Sequence, residues 1–358
     1  MPRVLNYFVI SFILWSCGEV RLHALKELPA DLPKINILVN DYPFAGYILF
    51  RKTEKPGAML MVNDIGEVVW LQTADTELLR VFKPYKDSYV ALVSKEELVE
   101  ISYSGDTLGH LRYGENEFDR KMHHELIKDK DNNFVAITHE HLIGDLTSIG
   151  GHKQDTMMFD GIIKLSRDGR KLFSWKLSDH VDLFDVQDVY KHKLDWGHAN
   201  SLEIDLQGNY LISFRDFDQI WKIDSNTGQV IWKFGSNTVN REGDRFYGQH
   251  AISVTEGGDI LFFDNGHFRK RKSSRAISFR ESEGILENKL IIQLPDSLFS
   301  WKMSSVYQFE DDRFLFNCTM NNTILITDSR GEVLWMAKTD QELYRAYYIA
   351  PTALTRLF

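Results

Sequence analysis

The 358-residue sequence predicts an all-β fold, a six-bladed β-propeller of antiparallel blades. Three observations predict it. A glycine-centred turn phrase recurs six times, a second polar turn phrase recurs between its copies, and aromatic residues make up 13% of the chain. Eight Trp, 14 Tyr and 23 Phe demand a packed core, which excludes a disordered chain.

The first phrase couples a turn to β-branched residues and often a tryptophan. Its copies are Asp64-Ile65-Gly66-Glu67-Val68-Val69-Trp70, the weaker Ser104-Gly105-Asp106-Thr107-Leu108, and Arg167-Asp168-Gly169 running to Phe173-Ser174-Trp175. Asn226-Thr227-Gly228-Gln229-Val230-Ile231-Trp232, the degenerate Ser282-Glu283-Gly284-Ile285 and Ser329-Arg330-Gly331-Glu332-Val333-Leu334-Trp335 complete the set. The glycines stand roughly 40 to 65 residues apart, a propeller-like period. The second phrase is a polar turn leading into an apolar run: Asp131-Asn132-Asn133 before Phe134, Gln207-Gly208-Asn209 before Tyr210, Gly257-Gly258-Asp259 before Ile260, Asp311-Asp312-Arg313 before Phe314. Gly-Asn and Gly-Asp suit hairpin corners that need positive φ. Each unit therefore reads as three or four antiparallel strands. Helical periodicity is absent apart from a short helix expected near Ser178 to Tyr190. A solenoid is the structural alternative, but four strands per unit favour radial closure.

The ends and the cysteines set the remaining boundaries. Arg3, then an apolar run from Val4 to Trp15, then Ser16 and Cys17 read as a signal peptide over residues 1–17. The run is too short for a comfortable transmembrane helix. Leu14-Trp15-Ser16-Cys17 resembles a bacterial lipobox, with Cys17 the lipidated residue; Trp15 departs from the usual small or β-branched residue. The alternative is an ordinary export signal with an incidental cysteine. Residues 18–40 are expected as a short leader and 41–358 as the catalytic propeller. An exported, periplasmic or outer-membrane lipid-anchored protein is the expectation. Cys318, within Phe314-Leu315-Phe316-Asn317-Cys318, reads as a buried strand residue. Two cysteines exclude a disulfide scaffold. A net charge of −9 with no long basic run argues against a nucleic-acid partner.

Propellers usually work on their axis, where the inner strands converge. With the polar turns as anchors, Met122, His198 and Gly248 share one position, and His124, Asn200 and His250 share the position two residues further on. Side chains two apart on a strand point the same way, so His198 and Asn200 are expected on one face with His124 and His250. The same register places Lys302 in the sixth blade and Tyr47 in the first, and finds no equivalent in the second. On the following strand it aligns His139, Arg215 and Asn265.

Several chemistries are weighed against this set. No closely spaced zinc motif, no carboxylate ring for calcium or magnesium, no phosphate-cradling glycine loop and no Gly-x-Ser-x-Gly elbow is present. His139-Glu140-His141 has a metal-like composition but offers no third ligand on its face. An anion site fits better: Arg, Asn and His donors can hold the oxygens of a sulfate or phosphate group. A neutral imidazole can then attack the central atom while a second, protonated one protonates the departing oxygen.

Asp195-Trp196-Gly197-His198-Ala199-Asn200-Ser201, with Gly208 to Arg215 and Thr227 to Gly235, resembles the bacterial arylsulfotransferases, PAPS-independent aryl-sulfate sulfotransferases. Gln249-His250-Ala251, Leu261 to Gly266 and His123-His124-Glu125 extend the resemblance over about residues 120 to 270. The resemblance implies a six-bladed propeller in which His250 is the nucleophile and carries a transient sulfo group. It implies catalytic or substrate-binding roles for His198, Arg215 and His124, and substrate binding by Asn200. Register favours His124 over His123, which would point into the blade. A phenolic sulfate is the implied donor and a phenol the acceptor, in a ping-pong reaction without metal or nucleotide cofactor. Tyr47 and Tyr247 are candidates to stack on the aryl group. The N-terminal dimerisation domain of better-known members has no counterpart here, and the small disulfide of some members is missing. Two other readings remain: a non-catalytic exported propeller that binds a ligand or partner, and a metal-dependent lactonase-like propeller, which the lack of axial carboxylates disfavours.

Overall fold

All six glycine-centred phrases form the turn before the outermost four-stranded position of a blade, with positive φ at Gly66, Gly105, Gly169, Gly228, Gly284 and Gly331. The structure is a computed structural model and describes residues 9–12, 31–52, 57–74, 79–181, 193–235, 242–310 and 312–354. Cys17 lies outside the described residues. Most of the helix expected near Ser178 to Tyr190 also does; its start is a 3-10 turn, Leu177–Asp179.

Six antiparallel sheets make the ring. From inner to outer strand, blade 2 is Phe82–Pro84, Ser88–Ser94, Glu97–Ser102 and Thr107–Arg112. Blade 3 is Met122–Lys128, Phe134–Gly144, Asp155–Leu165 and Lys171–Lys176. Blade 4 is Ala199–Ile204, Tyr210–Phe214, Gln219–Ile223 and Val230–Gly235. Blade 5 is His250–Val254, Ile260–Asp264, Arg275–Ser282 and Ile285–Gln293.

Blades 1 and 6 are completed from opposite ends of the chain. The inner strand of blade 1 is the C-terminal Ala346–Ile349, paired antiparallel with Tyr47–Lys52; Gly57–Val62 and Val68–Ala74 follow outward. Tyr47 pairs with Ile349 at the far end of that blade from the large axial cavity, so it is not the axial residue the register expected. Blade 6 is Ser305–Glu310, Arg313–Cys318, Thr323–Thr327 and Val333–Thr339, with Ile35–Asn40 added at its outer edge. The propeller therefore takes in residues 35–40, which the sequence reading assigned to a leader. Val9–Phe12 pairs in parallel with Val68–Ala74.

The blades are held by six apolar clusters, one at each interface. Strand alternation explains why the second strands read as unbroken apolar runs. Phe134 and Ala136 face blade 2, whereas Val135 and Ile137 face blade 4. Three of the repeated tryptophans add a polar latch. Indole Nε1 of Trp70 donates to the Tyr103 carbonyl (2.9 Å), Trp175 to Gly228 (3.1 Å) and Trp335 to Asp64 (2.7 Å). Each reaches the outer turn of the next blade, and Trp335 to Asp64 closes the ring. Cys318 is a buried free thiol at a strand end, as its apolar setting predicts.

Candidate active site

The inner strands run from a large cavity at one end of the axis to a smaller one at the other. Each strand of blades 3, 4 and 5 enters the axis through a kink rather than a straight pleat. His124 (φ 54°), His198 (φ 48°) and Ala251 (φ 53°) are left-handed, as are Met303 and Ser304 before the inner strand of blade 6. Non-glycine residues there carry strain of about 1–3 kcal/mol each, which the surrounding packing must hold. β-Bulges follow, between His123 and Leu126, Ala199 and Ser201, and His250 and Ser253.

These bulges cancel the two-residue alternation on which the register argument rested. His124, His198, Arg215 and His250 all line the cavity of about 880 Å³, and so do both His123 and His139. Asn200 does not. It is fully buried behind the wall, where its Nδ2 donates to the Gln249 carbonyl (2.7 Å) and its own carbonyl accepts from Arg345 (3.3 Å). Its place supports the strand entry that carries His250. Asn265 is also buried, donating to the carbonyls of Ser300 (2.5 Å) and Met303 (2.9 Å), so it braces the loop that brings Lys302 to the cavity. Tyr247 sits beneath Lys270, 4.4 Å from ring to ammonium, and is not part of the lining.

Sequence reasoning missed Arg80, Lys95, Tyr344 and Arg345. Arg80 supplies blade 2, where no equivalent was found, and pairs with Glu342 (2.7 Å). Tyr344 and Arg345 immediately precede the C-terminal strand that completes blade 1. The signal available was the apolar-aromatic run Ala346 to Ile349 left over after the sixth tryptophan phrase. Arg345 is buried on the axis, where its Nη1 alone donates to both carboxylate oxygens of Glu125, each at 2.7 Å. Below it Tyr307 and Tyr347 stack at 4.5 Å and Lys83 pairs with Glu203 (2.8 Å), which separates the two cavities.

The lining is basic although the chain is acidic. Arg80, Arg215, Lys95 and Lys302 stand around five histidines, with Asp195 the acidic residue of the lining. Such a concave basic surface concentrates anions.

The histidines are in different electrostatic states. His250 Nδ1 lies 2.8 Å from the Ser304 carbonyl, which can only accept, so Nδ1 carries the proton. Nε2 then holds a lone pair, and the Tyr344 hydroxyl donates to it at 3.1 Å. Burial and the Arg345 charge hold this imidazole well below the ordinary histidine range. His124 is likewise depressed, by burial and by its histidine neighbours. His198 goes the other way: burial opposes its charge, but the Asp195 carboxylate 2.6 Å from Nδ1 outweighs it and raises the pKa. Neutral His250 and His124 thus share the cavity with a His198 inclined to stay protonated, a separation that suits acid and base roles.

One cluster has metal-ligand composition. Ligand-type atoms of His123, His139 and Asp160 lie within 4.8 Å of one another. The two imidazoles, however, stack at 3.9 Å with planes 12° apart. In-plane lone pairs of parallel rings cannot converge on one ion, so this geometry does not make a metal site.

The fold and the site define a six-bladed propeller with a basic, histidine-rich axial cavity. The family model described as Arylsulfotransferase (ASST) matches residues 34–285, and the chain belongs to that family. Membership carries aryl sulfotransferase activity in general, with phenolic substrates for the sulfuryl group. No curated protein matches the chain. Among solved structures, a protein of unknown function from Bacteroides caccae is 11% identical, with TM-score 0.54, over 85% of this chain and 99% of that one. A chain of a nidogen/laminin complex is 10% identical, with TM-score 0.50, over 86% and 99%. At such identities the likeness is one of fold alone.

Proposed function

We propose that the protein moves a sulfuryl group from a phenolic sulfate ester to a phenol, without PAPS, by ping-pong chemistry through a sulfohistidine at His250. The observation that carries this reading is the unprotonated Nε2 of His250, its lone pair met by the Tyr344 hydroxyl, in a basic cavity. Nε2 attacks sulfur, the bond from sulfur to the aryl oxygen breaks, and its electron pair leaves with the phenolate. His198, held through Nδ1 by Asp195, protonates that oxygen. Arg215 and the other cations steady the non-bridging oxygens, because positioning and charge dominate a loose sulfuryl-transfer transition state. An acceptor phenol then attacks the sulfohistidine and the pair returns to Nε2. Asn200 acts from behind the wall through the Gln249 carbonyl. We further propose export, with Cys17 as a lipid anchor to the membrane.

The test is transfer from a nitrophenyl sulfate to added phenol, with and without chelator. Chelator-resistant transfer that His250→Ala abolishes is expected; full activity in that variant removes His250 as nucleophile. Mass spectrometry of a rapidly quenched donor-only reaction should find a sulfo adduct on the His250 peptide, and its absence would count against ping-pong.

A further inference from the structure

His123 is nine-tenths buried beside the cavity and the sulfohistidine chemistry does not use it. Its Nδ1 lies 2.7 Å from Nδ1 of His124, with the two rings nearly perpendicular. Its Nε2 lies 3.3 Å from Oδ1 of Asp160, a charge contact without hydrogen-bond alignment, and has no other partner. Asp160 is buried, and its second oxygen is fixed by the Ala199 amide at 2.7 Å.

A short contact between two ring nitrogens requires one proton between them. It can sit in two ways. If His123 Nδ1 donates, a neutral His123 turns a lone pair on Nε2 toward the Asp160 carboxylate, which is repulsive. If His124 Nδ1 donates, His123 carries its proton on Nε2, facing the carboxylate. The carboxylate favours the second arrangement, because a buried anion is stabilised by a facing N–H.

We propose that Asp160 and His123 form a positioning pair that holds the His124 proton on Nδ1 and presents a bare Nε2 to the cavity as base for the acceptor phenol. This rests on the sulfotransfer reading above. In the second half-reaction the phenol oxygen bonds to sulfur, the bond from sulfur to His250 Nε2 breaks, and the phenol proton passes to His124 Nε2. His124 becomes an imidazolium that still donates through Nδ1 to His123. It returns the proton to solvent, from which His198 regains the one it gave to the departing phenolate. Asp160 and His123 touch no substrate; they act through His124.

Asp160→Asn tests the pair without changing its shape. The Ala199 amide keeps the amide oxygen on its side, so the new NH2 group faces His123 Nε2. His123 must then carry its proton on Nδ1, and His124 on Nε2: the chain reverses. Long-range nitrogen NMR of the full-length protein with labelled histidine distinguishes these tautomers. The expected result is His124 protonated on Nδ1 in the wild type and on Nε2 in Asp160→Asn, with transfer to phenol slowed about 100-fold. Wild-type His124 protonated on Nε2, or His123 protonated on both nitrogens, overturns the pair without reference to any variant. An unchanged tautomer in a folded Asp160→Asn does the same. If the wild type shows the expected tautomer but transfers no sulfuryl group, the functional reading fails and the positioning pair stands.

Discussion

The Tyr344 hydroxyl lies 3.1 Å from His250 Nε2, the nitrogen proposed to receive the sulfuryl group. It caps the lone pair at rest and must release it when sulfur arrives. It is then free to donate to an oxygen of the transferring group. Burial, the largest influence, raises the Tyr344 hydroxyl to about 12, so it remains a donor through the neutral range. Tyr344→Phe should therefore lower kcat/KM for a nitrophenyl sulfate by roughly 100-fold, the scale for loss of one preorganised donor. A rate equal to or above wild type would limit the hydroxyl to covering the resting lone pair.

The pH profile should have a broad neutral plateau. His250 is held well below 6.5, so it stays neutral and nucleophilic as the solution is acidified past the ordinary histidine range. His198 is raised above 6.5, so its proton is lost only as pH climbs past that value. Asp195→Asn removes the partner that outweighs burial. The alkaline limb of kcat/KM should then move to lower pH while the acid limb stays. The same linkage appears in folding. The Asp195–His198 contribution is fully present below 6.5 and fades as pH rises through the elevated value, so the stability gap between variant and wild type should narrow with rising pH. An alkaline limb that does not move would rule out His198 as the titrating acid.

Glu125 and Arg345 form a buried ion pair on the axis, with Arg345 Nη1 shared by both carboxylate oxygens. Removing one partner leaves the other charge buried and uncompensated, at a cost of about 3–5 kcal/mol. Glu125→Gln should lower the unfolding free energy by that order in denaturant titration. Because the Arg345 charge also helps keep His250 neutral, the variant reports on both stability and the nucleophile.

Trp335 donates to the Asp64 carbonyl across the junction between the last blade and the first. Trp335→Phe removes that hydrogen bond, leaving the carbonyl to the Asn40 amide and solvent, and should cost about 0.5–1.5 kcal/mol. Trp70→Phe, which breaks the latch from blade 1 to blade 2, should cost a similar amount in equilibrium unfolding. If neither variant shifts the midpoint, the indole latches follow packing rather than contribute to it.

Much of the ring was legible in the sequence. Gly66, Gly105, Gly169, Gly228, Gly284 and Gly331 all occupy the outer hairpin turn, where a positive φ is a local demand visible in composition. His124 and His250 were also legible, because equal distances from equivalent turns bring equivalent residues to the axis; His198 and Arg215 came from neighbouring positions of the same comparison. The face of each side chain was not. Alternation holds only while the pleat is regular, and the left-handed residues at His124, His198 and Ala251 with the bulges beyond them break it. That is why His123 shares the cavity with His124, and why Asn200 lies behind the wall.

By itself the sequence determined the number of blades, the turns between their strands and part of the basic and histidine lining at one end of the axis, His124, His198, Arg215 and His250. These follow from local chemistry repeated at a steady spacing. Only the tertiary structure decided the closure. Ala346–Ile349 pairs with Tyr47–Lys52 at the other end of the chain, and that pairing brings Tyr344 to His250 and Arg345 to Glu125. Partners some hundreds of residues apart leave no periodic trace in either segment. What joins them is the open inner edge of the first blade, whose unpaired backbone groups a single remaining strand can satisfy.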